Sequence, residues 1–183
     1  VADGDVYCWG DNSSGRLGDD SLDPSPVPVA VAADGVGGSS LTSGTATRVV
    51  TGGGGPGSTT AFSCAIADDR AHCWGSKKNG RLGDGVEGDV PSLVPVAVSL
   101  SWGPVAVVSD ISIGSGVVCA VASGLAYCWG NGGRGVIGDG MDDEFTDFTV
   151  PALVETSPAS ALPSSPLVTD VEVGATSACA VHD

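Results

Sequence analysis

Apolar residues in this chain fall in short alternating runs. Ile111 and Ile113 flank Ser112, and Val171 and Val173 flank Glu172, the period of two expected of a strand with one face buried. Arg48 to Gly52 occupies the corresponding place upstream, before another apolar run. Val27-Pro28-Val29, Val94-Pro95-Val96 and Val150-Pro151-Ala152 read as a further set of strands. No stretch of ten or more residues combines helical periodicity with helix caps, so the pattern predicts strands and turns throughout.

The strands repeat. Tyr7-Cys8-Trp9-Gly10 returns as His72-Cys73-Trp74-Gly75 and as Tyr127-Cys128-Trp129-Gly130. In each copy a glycine follows the Trp by six residues (Gly15, Gly80 and Gly135) and opens a corner. The corners read Gly15-Arg16-Leu17-Gly18-Asp19, Gly80-Arg81-Leu82-Gly83-Asp84 and Gly135-Val136-Ile137-Gly138-Asp139. Such fixed spacing marks a repeat protein, with repeats at about 1–47, 48–107 and 108–167 and the start of another at 168–183. Cys64 precedes Cys73 by nine residues and Cys119 precedes Cys128 by nine, with Asp68-Asp69 and Ser123-Gly124 at the midpoints. Dipeptides of this kind favour two-residue hairpin turns. Counting outwards from the turn places Cys64 opposite Cys73 at a non-hydrogen-bonded site, where Cα atoms lie roughly 4.5 Å apart and a disulfide can form. Cys119 and Cys128 pair by the same count. The interval from Gly52 to Cys64 exceeds its counterparts, Gly114–Cys119 and Gly174–Cys179, by seven residues. This insertion, around Gly53–Gly57, reads as a flexible surface excursion; no Gly-Lys-Ser/Thr follows it, so it is not a phosphate loop.

Composition narrows the class. The 183 residues suffice for one domain with a core, and 29 Gly with 11 Pro favour a turn-rich all-β fold. The formal charge of −15 is the opposite of the basic footprint that nucleic-acid binding needs, and it disfavours anionic membrane surfaces. Membrane insertion is likewise not expected. The six cysteines lack the close pairs of a zinc site, and their hairpin register fits disulfides. Disulfides imply an oxidising compartment: secreted, periplasmic or cell-surface. Residues 140–149 read as a variable connection, and 155–168 as a Pro/Ser/Ala-rich loop.

Taken together, Val-x-Val-Gly, Cys-Ala-Val, a glycine turn, Tyr-Cys-Trp-Gly and Gly-Arg-Leu-Gly resemble the regulator-of-chromosome-condensation repeat in its Cys-containing bacterial variety. The resemblance covers nearly the whole chain outside the insertions. It implies a β-propeller of four-stranded antiparallel blades, of which propellers have roughly four to eight; about three are present here. The family often has a His before its Ser-x-Ala-Leu strand, and the matching positions here are Phe62, Val117 and Ser177. At the ends, Val181-His182-Asp183 aligns with Val1-Ala2-Asp3, Cys179 lacks a downstream partner and Cys8 an upstream one. Either the chain is a slice of a longer array, or its ends meet around an axis, within one chain or between chains. An open arc with unpaired end strands is expected, because a ring of three four-stranded blades would be sterically tight.

The residues that could carry chemistry are few. Trp9, Trp74 and Trp129 recur at one position, which points to blade-core packing. Asp19, Asp84 and Asp139 recur where an acid caps a turn. Asp139, Asp142, Asp143, Glu144 and Asp147 gather next to Phe145 and Phe148. These acids are candidate calcium ligands, although the Asp-x-Asn-x-Asp-Gly loop pattern is absent; the alternative is a solvated acidic loop. Phe145 and Phe148 are candidate anchors for a protein partner, with the acids steering a basic surface. No catalytic constellation and no cofactor motif appears. The expected function is therefore a non-catalytic protein-binding scaffold without a cofactor. The alternative is an accessory, substrate-positioning module of a larger multidomain enzyme. The expected partners are a protein and, in the slice reading, further blades of the same full-length chain.

Overall fold

In a computed structural model, which describes residues 3–55, 57–99, 106–141, 146–156 and 167–183, the chain forms four antiparallel sheets. Two are four-stranded. One runs β3 (Ala46–Gly52), β4 (Phe62–Ala67), β5 (Arg70–Gly75) and β6 (Ser92–Ala97), and the other runs β7 (Val108–Ile113), β8 (Val117–Ala122), β9 (Leu125–Asn131) and β10 (Asp147–Leu153). Each has its strands in chain order, a meander. They are flanked by two-stranded sheets, β1 (Tyr7–Gly10) with β2 (Ser25–Ala30) upstream and β11 (Val168–Val173) with β12 (Ala178–His182) downstream. β7 packs beside β3 on one side and β11 on the other, so the inner strands follow one another around an axis. The sheets are blades of an open, partial propeller, with the two flanking sheets in separate positions and not joined.

The hairpin arithmetic holds residue by residue. Asp68 and Asp69 have φ of 49° and 60°, and Ser123 and Gly124 have 52° and 79°, the two consecutive positive values of a primed turn. Cys64 opposes Cys73 and Cys119 opposes Cys128. Both pairs are disulfides, with Cα–Cα distances of 4.0 and 4.1 Å. Next to them the register shifts between Cys73 and Gly75, and Gly75 takes φ 101°. A Cβ on Gly75 would lie 2.8 Å from the Ala61 carbonyl oxygen, so only glycine lets the adjoining strands close over this bulge.

The core lies between blades. Phe62, Leu82, Ile111, Val118 and Trp129 pack between the two complete sheets. Val6, Val31, Ala65 and Trp74 join the β1–β2 sheet to its neighbour, and Val117, Val136, Ile137 and Val171 join β7–β10 to β11. Polar side chains tie the inner strands together. Arg48 pairs with Asp110 across β3 and β7 at 2.6 Å, Asp110 accepts from the Val171 N–H at 2.9 Å, and the Ser112 hydroxyl donates to Glu172 at 2.8 Å. A hydrogen bond with Asp110 raises the Asp170 carboxyl, with smaller contributions from burial and from the charges of Asp110 and Glu172.

Two expectations need correction. Trp74 and Trp129 are fully buried beneath the corner of the preceding blade, but Trp9 on β1 is 64% exposed. The Gly53–Gly57 insertion is not a free excursion. Arg16 donates to the Ser58 carbonyl at 2.7 Å, Asp11 accepts from the Gly57 N–H, and Thr60 Oγ1 donates back to the Gly53 carbonyl at 2.9 Å. The extra residues thus lie against the first corner. Hydrogen bonds from Ser13 first, then Gly57, with help from Arg16, lower the Asp11 carboxyl to about 2.

Candidate protein-interaction surface

The connection from each corner to its outer strand is built around a capped turn. Asp84 Oδ1 accepts from the Val86 N–H and Asp139 Oδ1 from the Met141 N–H, both at 3.1 Å. Asp19 Oδ1 instead accepts from the Ser21 hydroxyl at 2.9 Å and the Asn12 amide at 3.2 Å. Asp84 and Asp139 thus cap their turns through a backbone N–H, as their position predicts, whereas Asp19 is held by side-chain donors. At Asp84 a second bond is added, from Lys77 at 2.8 Å, on the residue equivalent to Asn12.

Beyond the cap, the three connections differ in sequence but share a character. Leu22 stands exposed beside Asp20 and Asp23; Val86 and Val90 stand exposed around Glu87 and Asp89; Met141 stands exposed just after Asp139. Antiparallel order places every corner-to-outer-strand connection at the same end of its sheet, opposite the hairpin turns at Asp69 and Gly124. One end of the arc therefore carries acids interleaved with exposed apolar side chains in three successive positions. Sequence reasoning found only the third of these. Aligning the segments that follow Asp19 and Asp84, rather than the constant motifs alone, would have found the other two.

Within that third connection, Asp142, Asp143, Glu144 and Phe145 lie outside the described residues. The structure brings Asp139 and Asp147 to different tasks. Asp139 caps its turn, whereas Asp147, on β10, accepts from the Asn79 amide of the preceding blade at 2.9 Å. Phe148 is half-buried and packs against the cores on both sides of its blade, and a Cβ on Gly132 would meet its ring at 2.7 Å. Its ring is spent largely on packing. Among the described residues, no three His, Cys, Asp or Glu side chains converge where they could hold a metal ion.

Arg16 and Arg81 share a corner position but not an environment. Arg81 is buried, lies 5.4 Å over the Phe62 ring, and donates to the Lys78 carbonyl at 2.5 Å, the Asn79 side chain at 2.9 Å and the Thr60 carbonyl. Burial lowers its pKa. The guanidinium thus fastens the corner between β5 and β6 to the β3–β4 connection of the same blade. Val136 stands in its place in the third corner.

The comparisons with known proteins agree with this architecture. Residues 3–54 match the family model described as the regulator of chromosome condensation (RCC1) repeat. The human and mouse E3 ubiquitin-protein ligase HERC2 are each 30% identical over 149 residues, which is 78% of this chain and 3% of each ligase. Among solved structures, human WBSCR16 superimposes with a TM-score of 0.71 at 22% identity, over 100% of this chain and 41% of that one. Prp20p from Saccharomyces cerevisiae, described together with its binding to Gsp1p and histones, gives 0.75 at 18% identity over 100% and 40%. Yeast RCC1 (Prp20) bound to Kap60 gives 0.74 at 19% identity over 100% and 39%. The chain thus spans a small part of the curated relatives it matches and about two fifths of the solved structures. Among the described residues, no helix is long and apolar enough to cross a membrane.

Proposed function

Because this chain belongs to the regulator-of-chromosome-condensation repeat family, we propose that it is a non-catalytic protein-binding scaffold presenting one end of its blades to a basic protein partner. The observation that carries this reading is the threefold recurrence of acidic and exposed apolar side chains on the connections after Asp19, Asp84 and Asp139. Apolar anchors supply contact area and the surrounding acids steer an oppositely charged partner. The capped turns beneath hold both in place. On the sequence pattern alone, Phe145 with Asp142, Asp143 and Glu144 is a further candidate element for binding the same partner. The recurrent Trp, Arg and Asp serve the scaffold alone.

Two disulfides suit an oxidising medium, which supports a secreted, periplasmic or cell-surface setting. Yeast Prp20p, whose fold this chain shares, is described as binding proteins, which supports the general class and names no partner for this one.

The test is affinity capture from the periplasmic or culture fraction of the source cell. It compares the unaltered chain with a Glu87→Lys, Asp89→Lys, Val90→Ser variant and with an Asp69→Lys control at the opposite end of the same sheet. Proteins held by the unaltered chain and the control but released by the triple variant support the reading. Equal capture by all three overturns it.

The match to a small segment of a ubiquitin ligase favours a second reading, that of an accessory substrate-positioning module in a larger enzyme. Recovery of the full-length reading frame separates the two. A catalytic sequence fused to this arc supports the second reading, and its absence supports the first.

A further inference from the structure

The first corner meets the outer strand of the following blade, β6, and a groove of about 570 Å³ opens between them. Its floor is apolar, made by Leu93 and Val94 of β6, and Val90 stands exposed at its rim. One wall is the β5–β6 connection, which carries Glu87 and Asp89. The other wall is Asp20, backed by the β2–β3 connection. A Cβ added to Gly37 would stand 2.8 Å from the Asp20 carboxyl carbon and 2.9 Å from Val94 Cγ1. The Asp20 N–H donates to the Leu93 carbonyl at 3.1 Å, which fixes this wall to the floor. The groove thus belongs to a junction between two adjoining blades, of the kind that Gly85 makes with Thr149 one blade further on.

The acid at position 20 is particular to this junction. In the next two repeats the same place, one residue after the recurrent Asp, is held by Gly85 and Gly140. All three residues have a left-handed backbone, with φ of 64°, 84° and 84°. Glycine adopts that conformation freely, and Asp and Asn are the side chains that tolerate it best. Among the described residues, no hydrogen bond or ion pair reaches the carboxylate of Asp20 or of Glu87. Asp89 is paired loosely, with Lys78 at 3.7 Å. Lys77 also lines the groove, but Asp84 holds its ammonium at 2.8 Å. The groove is therefore apolar below and negative on both walls.

We propose that this groove is the pocket for an arginine side chain of the protein partner. The proposal rests on the partner-binding reading of this end of the blades and names the group that end recognises. Charge complementarity selects a cation, since the two unpaired carboxylates face each other across the groove. The apolar floor selects the kind of cation. A guanidinium is more weakly hydrated than an ammonium, and its planar fork offers donors on two sides, one for each wall. Its aliphatic stem covers Leu93, Val94 and Val90 while the head meets Asp20 and Glu87. A lysine brings a compact, strongly hydrated charge that answers one wall at a time. The recurrent acidic connections then steer the partner, and this junction fixes where its anchor sits.

The probe is the blocked tripeptide acetyl-glycyl-arginyl-glycinamide, titrated into the isotopically labelled chain and followed by amide chemical shifts. Saturable shifts are expected at Gly37, Gly88, Val90 and Val94. Citrulline in place of the arginine keeps the shape and removes the charge, so it binds about tenfold more weakly or worse, as loss of charge-assisted hydrogen bonds does. The lysine tripeptide binds more weakly than the arginine one. Asp20→Asn and Glu87→Gln each weaken the arginine tripeptide about fivefold or more. Asn keeps the left-handed backbone at position 20, and Glu87 is exposed, so both variants fold. Asp68→Asn makes the same charge change in a left-handed turn at the opposite end and leaves the affinity as it was. No saturable shift in the groove, equal affinity for the citrulline or the lysine tripeptide, or an unaltered affinity in either variant would each overturn the proposal. The titration and the capture experiment fail separately. Capture lost in the Glu87→Lys, Asp89→Lys, Val90→Ser variant, with no tripeptide bound in the groove, overturns this pocket and leaves the surface reading intact. A bound tripeptide with equal capture by every chain supports the pocket and overturns the surface reading alone.

Discussion

The interior blades and the end sheets carry the same motif and treat it oppositely. In β5 and β9 the Cys is bridged and the Trp is buried beneath the preceding corner. In β1 the Cys is a free thiol and the Trp is exposed. β8 is buried along its whole length and β12, its equivalent, is exposed throughout. The strands themselves are alike, since β12 pairs with β11 in the register that β8 keeps with β7. What differs is the neighbour. A blade in this fold has no core of its own; its apolar face becomes interior only when the next blade is laid upon it, as in other repeat architectures.

The sharpest way to test this contrast is to remove the indole in both places. Trp129→Ala empties a site closed on all sides and should cost about 3–5 kcal/mol, the usual range for an aromatic deleted from a core. Trp9→Ala removes an exposed ring, and in the monomer it should fall within about 0.5 kcal/mol of the parent. Urea unfolding of both variants measures the difference. A comparable loss at Trp9 would break the comparison, because it would mean that Trp9 is covered in the isolated chain.

The bridge offers a smaller effect of the same kind. Replacing Cys119 and Cys128 together by Ala opens a short hairpin loop and should cost about 2–3 kcal/mol, as chain entropy gives for so small a loop. Cys8→Ala breaks no bridge and should leave the urea midpoint nearly unchanged. A double variant as stable as the parent would show that strand pairing alone fixes this hairpin.

The smallest effect concerns the insertion pinned to the first corner. The Asp11 carboxyl is lowered to about 2 by hydrogen bonds from Ser13 and Gly57, with Arg16 assisting, against an ordinary carboxylate value of about 4. A lowered carboxyl contributes its hold above its unfolded pKa and loses it as pH falls through the folded one. Between pH of about 4 and 2 the Gly57 amide should therefore lose protection in hydrogen exchange while the blades remain folded. Asp11→Asn should abolish that pH dependence. Because Asp11 lies at the surface, outside the blade cores, the global unfolding midpoint should barely move.

Much of this molecule is legible in the chain alone, since its local rules are strict. A two-residue turn at Asp68-Asp69 leaves one register, and that register sets Cys64 against Cys73 whatever surrounds the hairpin. Asp84 and Asp139 follow from the turn caps. Strand period, turn chemistry and repeat spacing together determined the all-β repeats and the two disulfides, while the family resemblance implied the blades and the arc. Tertiary structure decided the rest, because burial belongs to pairs of elements and not to a motif. Nothing in Cys-Trp-Gly distinguishes Trp9 from Trp129 until a corner covers one and not the other. Arg81 and Arg16 recur at one corner position, yet Arg81 is buried against Phe62 and the β3–β4 connection of its own blade. The insertion at Gly53–Gly57 is glycine-rich enough to roam, yet Asp11 and Arg16, more than forty residues away in sequence, hold it down. The acidic and apolar connections share only a character and no spacing, so they line up as one surface only when the sheets place their ends together.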